Sequence, residues 1–167
     1  MQVAKKITAF AKRISHTGNF FAERSLLFLG LTMAAVVISQ VFCRYIFNHS
    51  LFWSEELARY LLVWLTFLGA SVAYQRDMHP GVDFLYSRMP MRFKRYSRLL
   101  IHILSLALFS VMIWYGCKFA YFVKAQTTPA LSLPKWSIFS IIPISGMLLF
   151  LHATAKLLQE LLFTRGK

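Results

Sequence analysis

Residues 26–43 read LLFLGLTMAAVVISQVFC, eighteen positions without a charge. With a turn added at either end, this run reaches the ~20 apolar residues that a helix needs to cross a hydrocarbon core of about 30 Å. Three further stretches share the property. Leu57 to Gln75 holds one charge, Arg59, near its start, and Leu99 to Cys117 and Trp136 to Ala155 hold none. None alternates apolar and polar residues as a barrel strand does, so the spans are expected to be helices, whose backbone groups are satisfied within the segment. The composition agrees. Of 167 residues, 57% are apolar and only 15% charged, against roughly a quarter charged in an ordinary soluble domain. Mean hydropathy is +0.54. A soluble globular domain and a disordered chain are both excluded, and two cysteines make neither a disulfide framework nor a zinc site.

The fold class that follows is all-α: a polytopic membrane protein with four transmembrane helices, at about 26–47, 55–75, 97–123 and 136–159. These spans form a membrane domain over 25–160, preceded by an interfacial segment (1–24) and followed by a short tail (161–167). The first span is not expected to be a cleaved signal peptide. Its apolar run is too long and ends in Cys43-Arg44-Tyr45 instead of small residues.

The net charge of +13 would suggest nucleic acid in a hydrophilic chain. Here it reports topology, because basic residues collect on the cytoplasmic side, and no nucleic-acid partner is expected. With both termini in the cytoplasm, the N-terminal segment, the 76–98 connection and the C-terminus together carry fourteen of the nineteen Lys and Arg. The inverse topology would reverse that ratio. Val3, Ile7, Phe10 and Ile14 share one helical stripe, with Lys5, Lys6, Lys12 and Arg13 facing away from it. That is the pattern of an amphipathic helix lying on anionic lipid. The segment from Arg88 to Arg98, with Arg92, Lys94 and Arg95, reads the same way. Docking of a cytoplasmic protein is the alternative for both.

Few residues suggest chemistry. His102 and His152 fall at similar depth on the third and fourth spans and could ligate a haem. The alternative is that each finds water or a backbone partner near the headgroups. No acid lies in the core of any span, so the chain offers no ion or substrate path of the kind a proton-coupled exporter needs. Cys43 and Cys117 both fall near the outer end of a span, either paired or as separate thiols. Gly30/Ala34 and Gly69/Ala73 are small-xxx-small pairs that permit close helix approach. Pro143 removes the amide that would bond the Phe139 carbonyl, so the fourth span should bend there.

The densest polar cluster is Ser54-Glu55-Glu56-Leu57-Ala58-Arg59. Ser54 is a suitable N-cap, and Glu55 and Glu56 suit the positive end of the helix dipole. Glu55 and Arg59 stand in the favourable i, i+4 order, and Arg44 ends the first helix at similar depth. Flanked by Trp53 and Trp64, these charges are either a cap or a polar knot tying helix to helix, or to another subunit. The knot reading expects Arg59→Ala to weaken association with a partner subunit.

These residues carry a resemblance. Phe52-Trp53-Ser54-Glu55-Glu56-Leu57-Ala58-Arg59-Tyr60, then Trp64 and Phe67-Leu68-Gly69-Ala70, resemble the core motif of the small membrane subunit, the Q subunit, of tripartite ATP-independent periplasmic (TRAP) transporters. Arg44-Tyr45-Ile46-Phe47-Asn48 and His79-Pro80-Gly81-Val82-Asp83-Phe84 are similar to the same pattern, and the likeness covers about residues 20 to 160. The resemblance implies a non-catalytic subunit in the bacterial inner membrane. Its partners would be a large membrane subunit that moves as an elevator, a periplasmic substrate-binding protein and membrane lipid. It implies sodium-driven uptake of organic acids such as C4-dicarboxylates or sialic acids, with the sodium sites on the large subunit and no cofactor on this chain. The large subunit would be a separate polypeptide, because this chain ends after four spans. The loops about Phe47 to Ser54, with Asn48 and His49, and about Lys124 to Lys135 are expected to meet the binding protein, although both lysines would also sit comfortably among headgroups. The competing reading is a haem-binding or redox membrane anchor using His102 and His152, which a Soret band would reveal.

Overall fold

The computed structural model describes residues 2–76 and 91–163, except the side chains of residues 2–9, 11, 12, 91–96, 98, 162 and 163. The described residues form α1 (Gln2–Ile46), α2 (Phe52–Gln75), α3 (Met91–Phe122), a short α4 (Lys135–Phe139) and α5 (Ile141–Phe163). No strand occurs among them; one isolated antiparallel bridge joins Thr127 and Pro134. Four helical stretches are long and apolar enough to cross a membrane: Arg13–Ile46, Phe52–Gln75, Leu99–Phe122 and Lys135–Leu161. The all-helical, four-span fold is therefore present.

Two helices are longer than their apolar runs. The 45 residues of α1 extend about 67 Å at 1.5 Å per residue, roughly twice the hydrocarbon thickness. The basic N-terminal segment runs into the first span without a break. Residues 91–98 likewise continue into α3. The side chains of Lys5, Lys6, Lys12, Arg92, Lys94 and Arg95 lie outside the described residues, as does the 77–90 connection with its His79–Phe84 motif.

The helix ends have local causes. Asn48 adopts a left-handed conformation, φ 53°, and the amides of Phe47 and His49 both bond the Cys43 carbonyl at 3.1 and 3.2 Å. Asn tolerates this conformation better than most residues because its short polar side chain hydrogen-bonds locally. Asn48 thus ends α1 and turns the chain toward α2. That helix starts earlier than its sequence pattern suggested. Leu51, extended and without a side-chain cap, precedes it. Ser54 is therefore not the N-cap. It sits inside the first turn, fully buried, and its hydroxyl donates to the Leu51 carbonyl at 2.6 Å.

The fourth span is broken where Pro143 removes a donor. α4 ends at Phe139, Ser140 forms a turn and α5 resumes at Ile141. The Trp64 indole donates to the Ile138 carbonyl at 3.1 Å, which ties α2 to the broken turn.

Packing centres on α5. It lies against α1, α2 and α3, while α1 also packs on α2, and α3 on α4. Half of the fourth span's apolar window is buried within the chain and none of the first, so α1 presents its sides to lipid or to another subunit. The tightest approach lies between α3 and α5. A Cβ on Gly116 would stand 3.0 Å from Ile142 Cγ2 and from Pro143 Cδ, and one on Gly146 would stand 3.1 Å from Ile113 Cγ1. The pairs singled out by spacing are looser: a Cβ on Gly30 or Gly69 would meet Leu65 or Leu26 at 4.0 and 3.9 Å. Tyr74 and Phe109 stack edge to face at 5.2 Å, and Phe119 and Phe139 at 4.9 Å. Cys43 and Cys117 are both free thiols.

Candidate functional site

Polar contacts between distant parts of the chain collect at the two ends of the bundle. Glu23 and Gln40 on α1 are seventeen residues apart, about 25 Å at the helical rise. Glu56 and Arg76, at opposite ends of α2, are about 30 Å apart by the same measure. The two polar layers are thus separated by about one hydrocarbon core.

At the end that carries the α1–α2 turn, the centre is Glu56. Its Oε1 accepts from the Tyr60 hydroxyl at 3.0 Å and its Oε2 from the Ala130 amide at 2.7 Å. Thr128 and Leu131 also lie beside this carboxylate. The Ala130 amide comes from the α3–α4 connection, 74 residues away in sequence. The loop is ordered further from within. Thr128 N bonds Leu133 O at 2.9 Å and Ser132 N bonds Thr128 O at 3.1 Å, while Leu133 N donates to Thr128 Oγ1 at 3.0 Å. Thr128 is 2% exposed, and Ser132 takes a left-handed φ of 53°. Lys135 is tied to Gln126 twice, amide to carbonyl at 2.9 Å and Nζ to Oε1 at 3.0 Å. Lys124 Nζ lies 4.0 Å above the Tyr121 ring.

Within the chain, neither arginine expected in this knot is paired with its carboxylates. Glu55 accepts from Gln40 Nε2 at 3.1 Å, across to α1, instead of pairing with Arg59. Among the described residues the one ion pair is Arg76–Glu23. Arg44 and Arg59 are exposed, where water solvates a guanidinium more cheaply than a partly buried carboxylate binds it. Trp53 is 42% exposed and stands with Tyr45, Phe47 and Phe52 in an exposed aromatic rim suited to headgroups. His49 and Asn48 are exposed.

At the opposite end, Glu23 Oε1 accepts from Arg76 Nη2 and Nε at 2.7 and 3.1 Å and from Asn19 Nδ2 at 2.6 Å. Lys156 Nζ donates to the Tyr74 carbonyl at 2.6 Å and lies over the Tyr74 ring at 5.0 Å. His152, 1% exposed, lies with Nδ1 2.7 Å from Ser15 Oγ, itself 6% exposed. His152 therefore joins α5 to the N-terminal part of α1. His102 is half-buried on α3.

Sequence reasoning missed this second layer, and Gln40 and Thr128 in the first. Ser15, Asn19 and Glu23 recur every four residues on one face of α1. That polar stripe inside a long helix was the available signal. Between α1, α2 and α5 runs an apolar groove of about 570 Å³, lined by Phe21, Phe28, Trp64, Leu68, Ile144 and Leu148 among others, with Arg24 at its edge.

The arrangement offers polar ties between helices and an ordered loop. Comparison with known proteins gives the family. The family profile described as "Tripartite ATP-independent periplasmic transporters, DctQ component" matches residues 33–163. The chain is 30% identical over 111 residues to an isethionate TRAP transporter permease protein of Oleidesulfovibrio alaskensis, a match spanning 65% of this chain and 17% of that protein. It is 31% identical over 90 residues to a sialic acid TRAP transporter permease of Haemophilus influenzae, spanning 54% of this chain and 15% of that one. It is 28% identical over 123 residues to a C4-dicarboxylate TRAP transporter small permease of Rhodobacter capsulatus, spanning 72% of this chain and 53% of that one. The chain thus matches only a small fraction of the first two relatives and about half of the third.

Proposed function

The chain belongs to the DctQ-component family of the tripartite ATP-independent periplasmic transporters, and from that premise we propose that it is the small, non-catalytic permease subunit of a sodium-driven importer of organic acids. The substrate would be of the C4-dicarboxylate or sialic acid type, as in the names of the relatives. The observation that carries the reading is the family match across 33–163, which contains the Glu55-Glu56-Arg59 motif, the end of the first span and the other three spans whole. In this reading the chain widens the static part of a large elevator-type membrane subunit. Its α1 flank and the apolar groove beside it supply surface for such packing. Sodium is bound by the large subunit, in keeping with the lack of acids in the core of the spans.

Both termini face the cytoplasm, which puts fourteen of the nineteen Lys and Arg inside. The Glu56-tethered loop and the α1–α2 turn then face the periplasm, where they supply part of the docking surface for the substrate-binding protein. The basic start of α1 lies against anionic lipid. The haem reading has no support: the matched relatives are transporter permeases, and His152 already serves as a helix-to-helix contact through Ser15.

Reconstitution tests the proposal. Vesicles holding this chain with its large subunit and binding protein should take up the organic acid in a sodium-dependent way, and the chain by itself should not. Sodium-dependent uptake by this polypeptide alone would refute the scaffold reading.

A further inference from the structure

We propose that Glu56 is a positioning residue for docking: its carboxylate latches the 128–133 turn in one conformation, so that the loop meets its protein partner preformed. The inference rests on the docking role given above to this loop. Its basis is the direction of the bonds. A glutamate near the start of a helix ordinarily serves that helix, but the Glu56 carboxylate reaches away from α2 to the Ala130 amide at 2.7 Å. Bonds to an ionised acceptor are about twice as strong as neutral ones. Tyr60, one turn along α2, bonds Oε1 and so fixes the rotamer from the other side. Pro129 within the latched segment and Pro134 directly after it restrict its backbone further.

A loop ordered before docking loses less conformational freedom when it binds. The latch also determines what the loop displays. Pro129, Ala130 and Ser132 are exposed, Leu133 is 42% exposed, and Lys124 and Lys135 stand at its two ends. Neither lysine has an ion-pair partner among the described residues. The complementary partner is a protein surface with an apolar seat for Leu133 and carboxylates facing the two lysines.

The test uses the assembled transporter. Glu56→Gln keeps the shape but leaves the Ala130 amide a neutral oxygen, a weaker acceptor than the carboxylate, whereas Glu55→Gln alters a neighbour that bonds Gln40 and not the loop. Tyr60→Phe removes the bond that holds the Glu56 rotamer without touching the loop, and serves if Glu56→Gln fails to accumulate. With no binding protein present, amide exchange at Ala130 should speed up roughly tenfold in Glu56→Gln and severalfold in Tyr60→Phe, and remain unchanged in Glu55→Gln. The binding-protein concentration for half-maximal uptake should rise about five- to tenfold, the size of one or two newly ordered groups, with the maximal rate at saturating binding protein preserved. Unchanged exchange would overturn the latch, and so would faster exchange without a shift in half-saturation. The charge reversal Lys124→Glu with Lys135→Glu separates the two ideas. If it shifts half-saturation while Glu56→Gln does not, the loop docks and the latch is wrong. If neither shifts it at low ionic strength, the docking role of the loop itself falls.

Discussion

Adding one methyl group at Gly116 should destabilise the bundle, while the same change at Gly30 should not. The Gly116 Cβ would stand 3.0 Å from Ile142 Cγ2, 3.0 Å from Pro143 Cδ and 3.1 Å from Pro143 N. Carbon–carbon contacts are most favourable at about 3.5–4.0 Å, so each is too close by roughly half an ångström. Two of the three atoms belong to a proline ring or its backbone and cannot swing aside, so α5 itself must shift at its break. Overpacking of this kind costs about 1–3 kcal/mol. Alanine returns up to about 1 kcal/mol of helix propensity, which leaves a net loss of ~0–2 kcal/mol. At Gly30 the new Cβ would meet Leu65 Cδ2 at 4.0 Å, an ordinary contact, so only the propensity gain of about 0.5–1 kcal/mol remains. The two variants should therefore differ by ~1–3 kcal/mol, with Gly116→Ala the less stable. Equilibrium unfolding in mixed micelles at increasing SDS fraction, followed by the fluorescence of the four tryptophans, measures the difference. A Gly116→Ala protein as stable as Gly30→Ala would show that the α3–α5 contact is not the close one described here.

Two further expectations concern the polar layers. Ser15→Ala leaves the Nδ1 of the buried His152 without its hydroxyl partner and should cost about 1–3 kcal/mol; adding His152→Leu should recover part of that loss, and thermal unfolding of the single and double variants tests it. Arg59→Ala removes an exposed guanidinium that pairs with neither glutamate, so stability should change by less than about 0.5 kcal/mol, with assembly on the large subunit intact in a pull-down. Loss of assembly would restore the arginine to the knot.

Elements with a local cause were legible from residue order. Four apolar runs with at most one charge each have the length of a bilayer, and a run of that length has one low-energy structure in lipid, the helix. Pro143 broke the fourth span because a missing amide acts within four residues. The Phe52–Tyr60 motif led to the transporter family, and the profile match over 33–163 bears it out. Local reading failed where a boundary or a partner depended on something distant. Ser54 looked like a cap because it precedes two acids, yet α2 begins two residues earlier and buries its hydroxyl.

The i, i+4 spacing of Glu55 and Arg59 made an ion pair reasonable, but spacing only brings side chains within reach. Which neighbour a carboxylate takes depends on the donors offered by the adjoining helices and loops. Packing set Gln40 beside Glu55 and the α3–α4 turn over Glu56. Ser15 meets His152 across 137 positions, and Gly116 meets Pro143 only because α3 and α5 cross there. What the chain order determined by itself is the set of helices and the family, since lipid and backbone hydrogen bonding act on each segment separately. The register of one helix on another, and with it the partners of every buried polar group, came only with the tertiary structure, because that register minimises the free energy of all the contacts at once.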